Sequence, residues 1–166
     1  SAIIKGMVIY IGADHRGFKL KEFLSSLLKY GGYPVVDVGN EKYDEADNYV
    51  DFGKRVAERV SVDYDHNRGI LICGSGVGMD IVANKHPNVR AALALTSDQA
   101  FDSRNDDDTN VLCLGANYLN EEQAKKIVLT WIQTPFSQEP RHRKRIESIA
   151  QVEMERMRPL HGEDPA

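Results

Sequence analysis

The chain has 166 residues, of which 42% are hydrophobic and 28% charged, the composition of one folded domain and not that of a disordered tail protein. Its 21 Lys and Arg against 25 Asp and Glu give a formal charge of −4, which excludes a general nucleic-acid coat and leaves only a local basic patch to meet anions. No apolar run approaches the ~20 residues that span a bilayer, and the start lacks a signal-peptide plan, so neither a membrane nor a nucleic acid is expected as partner and the cytoplasm is the expected location.

Five short apolar runs follow one another along the chain: Met7-Val-Ile-Tyr-Ile-Gly12, Tyr33-Pro-Val-Val-Asp-Val-Gly39, Gly69-Ile-Leu-Ile-Cys-Gly74, Arg90-Ala-Ala-Leu-Ala-Leu95 and Asn110-Val-Leu-Cys-Leu-Gly115. Their near-continuous apolar character predicts strands buried on both faces, as in a parallel sheet between helices. After the first run, Leu20, Phe23, Leu24, Leu27 and Leu28 form the stripe of an amphipathic helix that stops at Gly31-Gly32. Residues 40–50 are acidic and polar, a surface loop before a helix around 51–62. After the fifth run, Asn120-Glu-Glu-Gln123 has the form of a capping box. Ala124, Ile127, Val128, Trp131 and Ile132 continue it as a helix that Pro135 ends. A basic cluster, Arg141-His-Arg-Lys-Arg145, then opens a further helix with Ile146, Ile149, Ala150, Met154 and Met157 on one face. A helix added to a completed α/β layer needs something to bury that face, and a second copy of the chain is the economical partner. The expected architecture is a three-layer α/β sandwich with a five-stranded parallel sheet and an extra C-terminal helix used in dimerisation. The expected domain runs over 7–158, between an N-terminal extension or cloning remnant at 1–6 and a disordered tail at 159–166.

In an open parallel sheet, ligands bind beyond the carboxyl ends of the strands. The polar residues there are Asp14, His15 and Arg16, then Cys73-Gly-Ser-Gly-Val-Gly78, then Thr96 to Asp98, then Asn117. The alternating glycines of Cys73 to Gly78 suit a nest of inward-pointing amides, and they match neither a dinucleotide fingerprint nor a P-loop. Tight strand-to-helix packing would explain them about as well as ligand binding. The thiol at the mouth tips the balance, because amides facing Cys73 would favour a thiolate that serves as base or nucleophile. Cys113 lies inside its strand and reads as inert; neither cysteine has disulfide or zinc-site spacing. Asp14 and His15 also fit a helix-capping turn. Arg141 and Arg145, one helical turn apart, could grip an anion together, or could simply form a solvated helix face. His66, His86 and His161 stand alone in polar loops and carry no assigned role.

The ordered set Gly12-Ala-Asp-His-Arg-Gly-Phe-Lys-Leu-Lys21, Gly69-Ile-Leu-Ile-Cys-Gly-Ser-Gly-Val-Gly78 with Ala83-Asn-Lys85, Arg90-Ala-Ala-Leu93, Asn110-Val-Leu-Cys-Leu-Gly-Ala116 and Arg141-His142 resembles the ribose-5-phosphate isomerase B / galactose-6-phosphate isomerase family over about residues 7 to 150. That resemblance implies a Rossmann-like homodimer, or a homotetramer of paired dimers, with no metal and no cofactor. It further implies shared active sites that interconvert aldose and ketose phosphates through an enediolate. By the same resemblance, Cys73 would move the proton between C1 and C2. Ser75 and the amides of Gly74, Gly76, Val77 and Gly78 would hold the enediolate oxygens. Asp14 would bind sugar hydroxyls, and His15 with the other subunit's copies of residues 141 and 145 would bind phosphate.

Three departures bear on the substrate. Asp106-Asp107-Asp108 stands where the family usually has His-Asn-Asp, its histidine helping to open the sugar ring. Asp106 would then have to supply acid–base chemistry, with Asp107 beside it in contact with substrate, unless the sugar arrives as an open chain. Asn117 replaces an arginine that many members use for phosphate, and Asn48-Tyr-Val-Asp51 replaces Asp-Tyr-Pro and a polar residue. The leading expectation is an isomerase of ribose 5-phosphate type. The alternatives are an isomerase of a different phosphorylated or free sugar, and a catalytically weak sugar-binding regulatory protein.

Overall fold

In the computed structural model residues 5–157 are described; the expectations for residues 1–4 and for the tail at 159–166, with His161, fall outside them. Strands and helices alternate as β1 (Ile9–Ala13), α1 (Phe18–Tyr30), β2 (Val35–Asp37), α2 (Tyr49–Val62), β3 (Arg68–Cys73), α3 (Val77–Ala83), β4 (Ala91–Leu93), α4 (Ser97–Asp107), β5 (Val111–Gly115), α5 (Glu121–Gln133) and α6 (Pro140–Met157). The five strands are all parallel in the order β2-β1-β3-β5-β4. The three-layer α/β architecture expected from the apolar runs is the one observed.

Alternation along the central strands divides the core. Ile70 and Ile72 of β3 join Ile9 and Ile11 of β1 on the face covered by Leu24 and Leu28 of α1 and by Val128 and Trp131 of α5. Leu71 and Cys73 point the other way, onto Val56 and Val60 of α2 and Met79 of α3. Burial on both faces holds for β3 and β5, buried at every position, but not for β2 and β4. Those are the two edges, each three residues long and at most half-buried, because an edge strand has one neighbour and thinner helical cover.

Local chemistry sets the boundaries. Helix α1 closes at Gly31, and Tyr33 N–H returns to Leu28 C=O at 3.0 Å, satisfying a carbonyl of the last turn. Helix α2 starts two residues before the expected 51, because the Asn48 side chain accepts from Val50 N–H and caps the first turn. The capping box of α5 is present, formed by Asn120 and Gln123. In α6, Ile146, Ile149, Ala150 and Val152 line a cavity of about 750 Å³ against residues 84 to 92. The Glu153 carboxylate accepts from Asn88 N–H through both oxygens, at 3.1 Å each. Ile149 and Met154 of the expected apolar face remain 50% and 67% exposed in the single chain; the Met157 side chain lies outside the description. No helix of the described residues is long and apolar enough to cross a membrane.

One close approach ties the first turn of α1 to the sheet. A Cβ placed on Gly17 would stand 2.5 Å from Ile72 C=O, in the backbone of β3 itself. Gly17→Ala must push α1 and the preceding loop off the strand that ends in Cys73, and overpacking of this kind costs about 1–3 kcal/mol. The expected outcome is a lowered midpoint in denaturant titration with an unchanged m-value; a midpoint equal to the parent's contradicts the packing described.

Candidate active site

Cys73 is the last residue of β3, in the middle of the sheet, and only 5% exposed. The turn that follows brings Gly76 N–H back to its Sγ at 3.2 Å. Gly76 has φ +79°, and a Cβ there would lie 2.5 Å from Leu93 Cδ1 and 2.9 Å from the Leu114 carbonyl carbon, so the turn requires glycine. An amide aimed at sulfur steadies negative charge as it gathers there. Ser75 Oγ accepts from Val77 N–H at 3.2 Å. Gly78 lies under Tyr49, whose Cε2 would be 2.6 Å from a Cβ at that position. The loop is held from β5: Ala116 N–H donates to Cys73 C=O and Asn117 N–H to Gly74 C=O, each at 2.9 Å. Next to Ser75 and Val77 opens a cavity of about 370 Å³, walled by Leu93, Leu95 and Tyr118. The second thiol, Cys113, is wholly buried, and burial pushes it well above its ordinary value, so it stays a protonated core residue as its place in the strand predicts.

Asp14 and His15 leave the end of β1 beside this loop, with Asp14 N–H donating to Ile72 C=O at 3.3 Å. Asp14 Oδ1 accepts from the amides of Arg16 and Gly17, at 3.0 and 3.1 Å, so it caps the entry to α1 while standing in the site. His15 is fixed by a residue that the sequence did not single out. Asp47, in the acidic loop before α2, accepts at one oxygen both His15 N–H at 3.0 Å and a hydrogen bond with Nδ1 at 2.8 Å, while Asn40 Nδ2 reaches its other oxygen at 3.3 Å. Burial works against the charge on Asp47, but the hydrogen bonds from His15 and Asn40 and the imidazole's own charge outweigh it, holding this carboxyl below its ordinary range. With Nδ1 committed to Asp47, Nε2 is the imidazole nitrogen left to meet a ligand. Behind this pair, the fully buried Lys21 donates to Asp37 and to Asn40 C=O, anchoring the loop that carries Asp47. The donor atoms of Asp14, His15 and Asp47 lie within 4.8 Å of one another, yet those hydrogen bonds already engage them as a dyad and a cap. The sequence signal for Asp47 was only its place in an acidic loop, one carboxylate among several.

The remaining expected site residues stand elsewhere. Helix α4 leaves the carboxyl end of β4 and returns to the amino end of β5, so Asp106 and Asp107 lie at the opposite edge of the sheet from Cys73. A strand the length of β5, with five residues, separates the edges by about 16 Å. Arg90, just before β4, donates from Nε to Asp107 C=O and Asp108 C=O at 3.1 and 3.0 Å, which fixes this corner. The start of α6 packs on the same corner. His142, buried, bonds Ser137 Oγ through Nδ1 at 2.7 Å and stands 3.7 Å from Asp106 Oδ1 through Nε2. Arg141, Arg145 and Asp107 line a shallow cavity there with Lys144 and Ser148. One chain therefore unites Asp14, His15, Cys73, Ser75 and the glycine loop, and separately unites Asp106, Asp107, Arg141 and Arg145.

Comparison with known proteins gives a consistent result. Residues 9–149 match the family model described as Ribose/Galactose Isomerase. A curated protein of Mycoplasma genitalium named probable ribose-5-phosphate isomerase B is 40% identical over 147 residues, covering 89% of this chain and 96% of that protein. Ribose-5-phosphate isomerase B of Mycobacterium tuberculosis is 35% identical, covering 90% and 92%. Among solved structures, that of ribose-5-phosphate isomerase B from M. genitalium with bound ribulose 5-phosphate superposes with a TM-score of 0.87 at 39% identity, covering 90% of this chain and 97% of that one. The Clostridium thermocellum ribose-5-phosphate isomerase B structure gives 0.85 at 41%, covering 90% and 99%. With the parallel sheet, the Cys73 loop and matches over nearly the whole chain in agreement, the chain belongs to the ribose/galactose isomerase family.

Proposed function

We propose that this isomerase interconverts an aldose phosphate and a ketose phosphate of ribose 5-phosphate type, with Cys73 as the base. The observation that carries the reading is the Gly76 N–H donating to Cys73 Sγ at 3.2 Å, at the carboxyl end of the central strand and beside Asp14 and His15. In the forward direction Cys73 takes the proton from C2 of the open-chain aldose. The electron pair of that C–H bond forms the C1=C2 enediolate, and negative charge moves onto O1. Cys73 then returns the proton to C1 as the carbonyl forms at C2, and a proton passes from O2 to O1. No oxidant or cofactor is consumed. Charge on the oxygens needs donors already in place, and Ser75 with the amides of Gly74 and Gly78 would supply them, joined by those of Gly76 and Val77 as they turn from Cys73 Sγ and Ser75 Oγ to the substrate. Asp14 accepts from sugar hydroxyls, and His15, set by Asp47, meets the phosphate. The named relatives and the ribulose 5-phosphate held in one of their structures support this substrate class.

The site is completed by a second copy of the chain. Arg141 and Arg145 stand at the wrong sheet edge to reach the Cys73 loop of their own chain. Val77, Ile81, Leu95, Phe101 and Tyr118 are exposed apolar residues on α3, the β4–α4 connection, α4 and the turn after β5, a surface suited to a homodimer. Whether dimers pair into a tetramer does not alter this reading. It also brings Asp106 and Asp107 of one chain toward Cys73 of the other, with Asp106 as a proton-transferring group for ring opening and Asp107 as a hydroxyl acceptor. Two carboxylates near a dianion repel it but accept hydrogen bonds from neutral hydroxyls. They are the observation behind a second reading, in which the preferred sugar differs from ribose 5-phosphate and is phosphorylated or free. A purely regulatory sugar-binding role has no feature in its favour that the enzyme reading lacks.

Cys73→Ala should lower kcat on ribose 5-phosphate about 10²–10⁴-fold, the usual contribution of a positioned base, with the melting temperature nearly unchanged. A near-normal kcat sinks the assignment. The second reading is tested by Asp106→His and Asp107→Asn, singly and together. Ribose 5-phosphate turnover should rise and activity on the preferred sugar fall; an unchanged preference in all three variants removes it.

A further inference from the structure

We propose that Arg16, with the side-chain amide of Asn117 beside it, is the residue that grips the substrate's phosphate on the Cys73 side of the site. The Arg16 side chain lies along the outer face of the loop. A Cβ on Gly74 would stand 2.9 Å from Arg16 Cδ, 3.3 Å from Arg16 Nη1 and 3.1 Å from Asn117 Nδ2. The guanidinium and the Asn117 amide thus converge over Gly74, one residue from the cysteine. Their backbones are fixed: Arg16 N–H donates to Asp14 Oδ1 at 3.0 Å, and Asn117 N–H to Gly74 C=O at 2.9 Å.

The guanidinium is also uncommitted. Arg55, Arg59, Arg68, Arg90, Arg104, Arg141 and Arg143 each spend guanidinium nitrogens on carbonyl or side-chain oxygens. Arg16, like the exposed Arg145 and Arg156, forms no side-chain hydrogen bond and no ion pair among the described residues. Asp14 Oδ1 is occupied by two amides and Asp47 by His15, and neither carboxylate forms an ion pair with Arg16. A guanidinium left unpaired beside the Cys73 loop, in a chain of net charge −4, is placed for an anion that arrives from outside. A guanidinium offers a planar fork that matches two phosphate oxygens, and the Asn117 amide adds donors next to it.

Position decides which anionic group is held. Cys73 Sγ and the Gly76 amide are buried inside the turn, where C1 and C2 must react, whereas Arg16 is exposed on its rim next to His15. The rim meets the end of the substrate remote from the reacting carbons, and that end carries the phosphate. Naming the anion as a sugar phosphate rests on the isomerase reading; the anion site itself does not.

The test measures inorganic phosphate binding to the intact protein by calorimetry, beside steady-state kinetics on ribose 5-phosphate. Arg16→Ala should weaken phosphate about tenfold to a hundredfold, the worth of hydrogen bonds to a charged group, and should raise KM by a similar factor with little change in kcat. Lys19→Ala removes the same charge from an exposed position on α1 outside the site, and should change both quantities less than about twofold. In the Arg16→Ala background, Asn117→Arg should recover much of the loss by returning a guanidinium to the same spot. Phosphate affinity and KM within about twofold of the parent in Arg16→Ala, or a Lys19→Ala loss as large as that of Arg16→Ala, overturns the proposal. Arg16-dependent phosphate binding in a protein that does not turn over ribose 5-phosphate would uphold the anion site and reject the substrate reading instead.

Discussion

Five strands running in one direction constrain this molecule more than any single contact does. Each parallel connection carries the chain back across the sheet through a helix, so whatever follows a strand gathers at one edge and whatever precedes a strand gathers at the other. Asp14, His15, Ser75 and Asn117 follow strands and Cys73 ends one; Asp106, Asp107 and Arg90 precede them. The proton-transfer loop and the second group of polar residues are separated by the length of β3 and β5. A single chain cannot close that distance without breaking the sheet. In the proposed reading a second chain supplies the group that its own sheet holds away from the Cys73 loop.

Within the carboxyl edge, ordering is layered from the core outward. Lys21, fully buried, holds Asp37 and the Asn40 carbonyl; Asn40 reaches Asp47, and Asp47 fixes both backbone and ring of His15. A buried ammonium is costly unless it is paired, and here its partners belong to the loop that supports the site. The cost of burying it thereby goes into placing an imidazole. Gly17 and Gly76 contribute by omission, since a methyl group at either would collide with the strands that carry Ile72 and Leu114. Arg16 then presents its guanidinium beside the Asn117 amide above Gly74, next in sequence to His15.

Much of this was legible in the sequence because the signals are local. The apolar runs located every strand, the Leu20 to Leu28 stripe located α1, and the Asn120–Gln123 capping box appeared as read. Burial of β2 and β4 was overestimated because an apolar run does not say whether its strand is central or at an edge. The place of Cys73 at the end of a strand and before alternating glycines is legible in the sequence and is where the structure puts it. That of Asp47 is not legible, since its meaning comes from a contact with His15, 32 residues away, and nothing in a run of acidic residues says which one turns inward. Arg16 was visible as a residue after β1, but only the fold shows that Asn117, about a hundred positions on, shares its space over Gly74. Ile149 and Met154 were read as a face needing cover, and in the single chain both remain exposed.

The claim on which the rest turns is that one chain's Cys73 works with another chain's Arg141 and Arg145. Mixing a Cys73→Ala chain with an Arg145→Ala chain tests it directly. Each variant alone assembles only impaired sites, whereas a mixed dimer contains one site with an intact loop and an intact arginine pair. The account predicts that purified heterodimers recover up to about half the parental turnover, as expected when residues act as a unit across an interface. Verified heterodimers with no more activity than the separate variants would show that each site is contained within one chain.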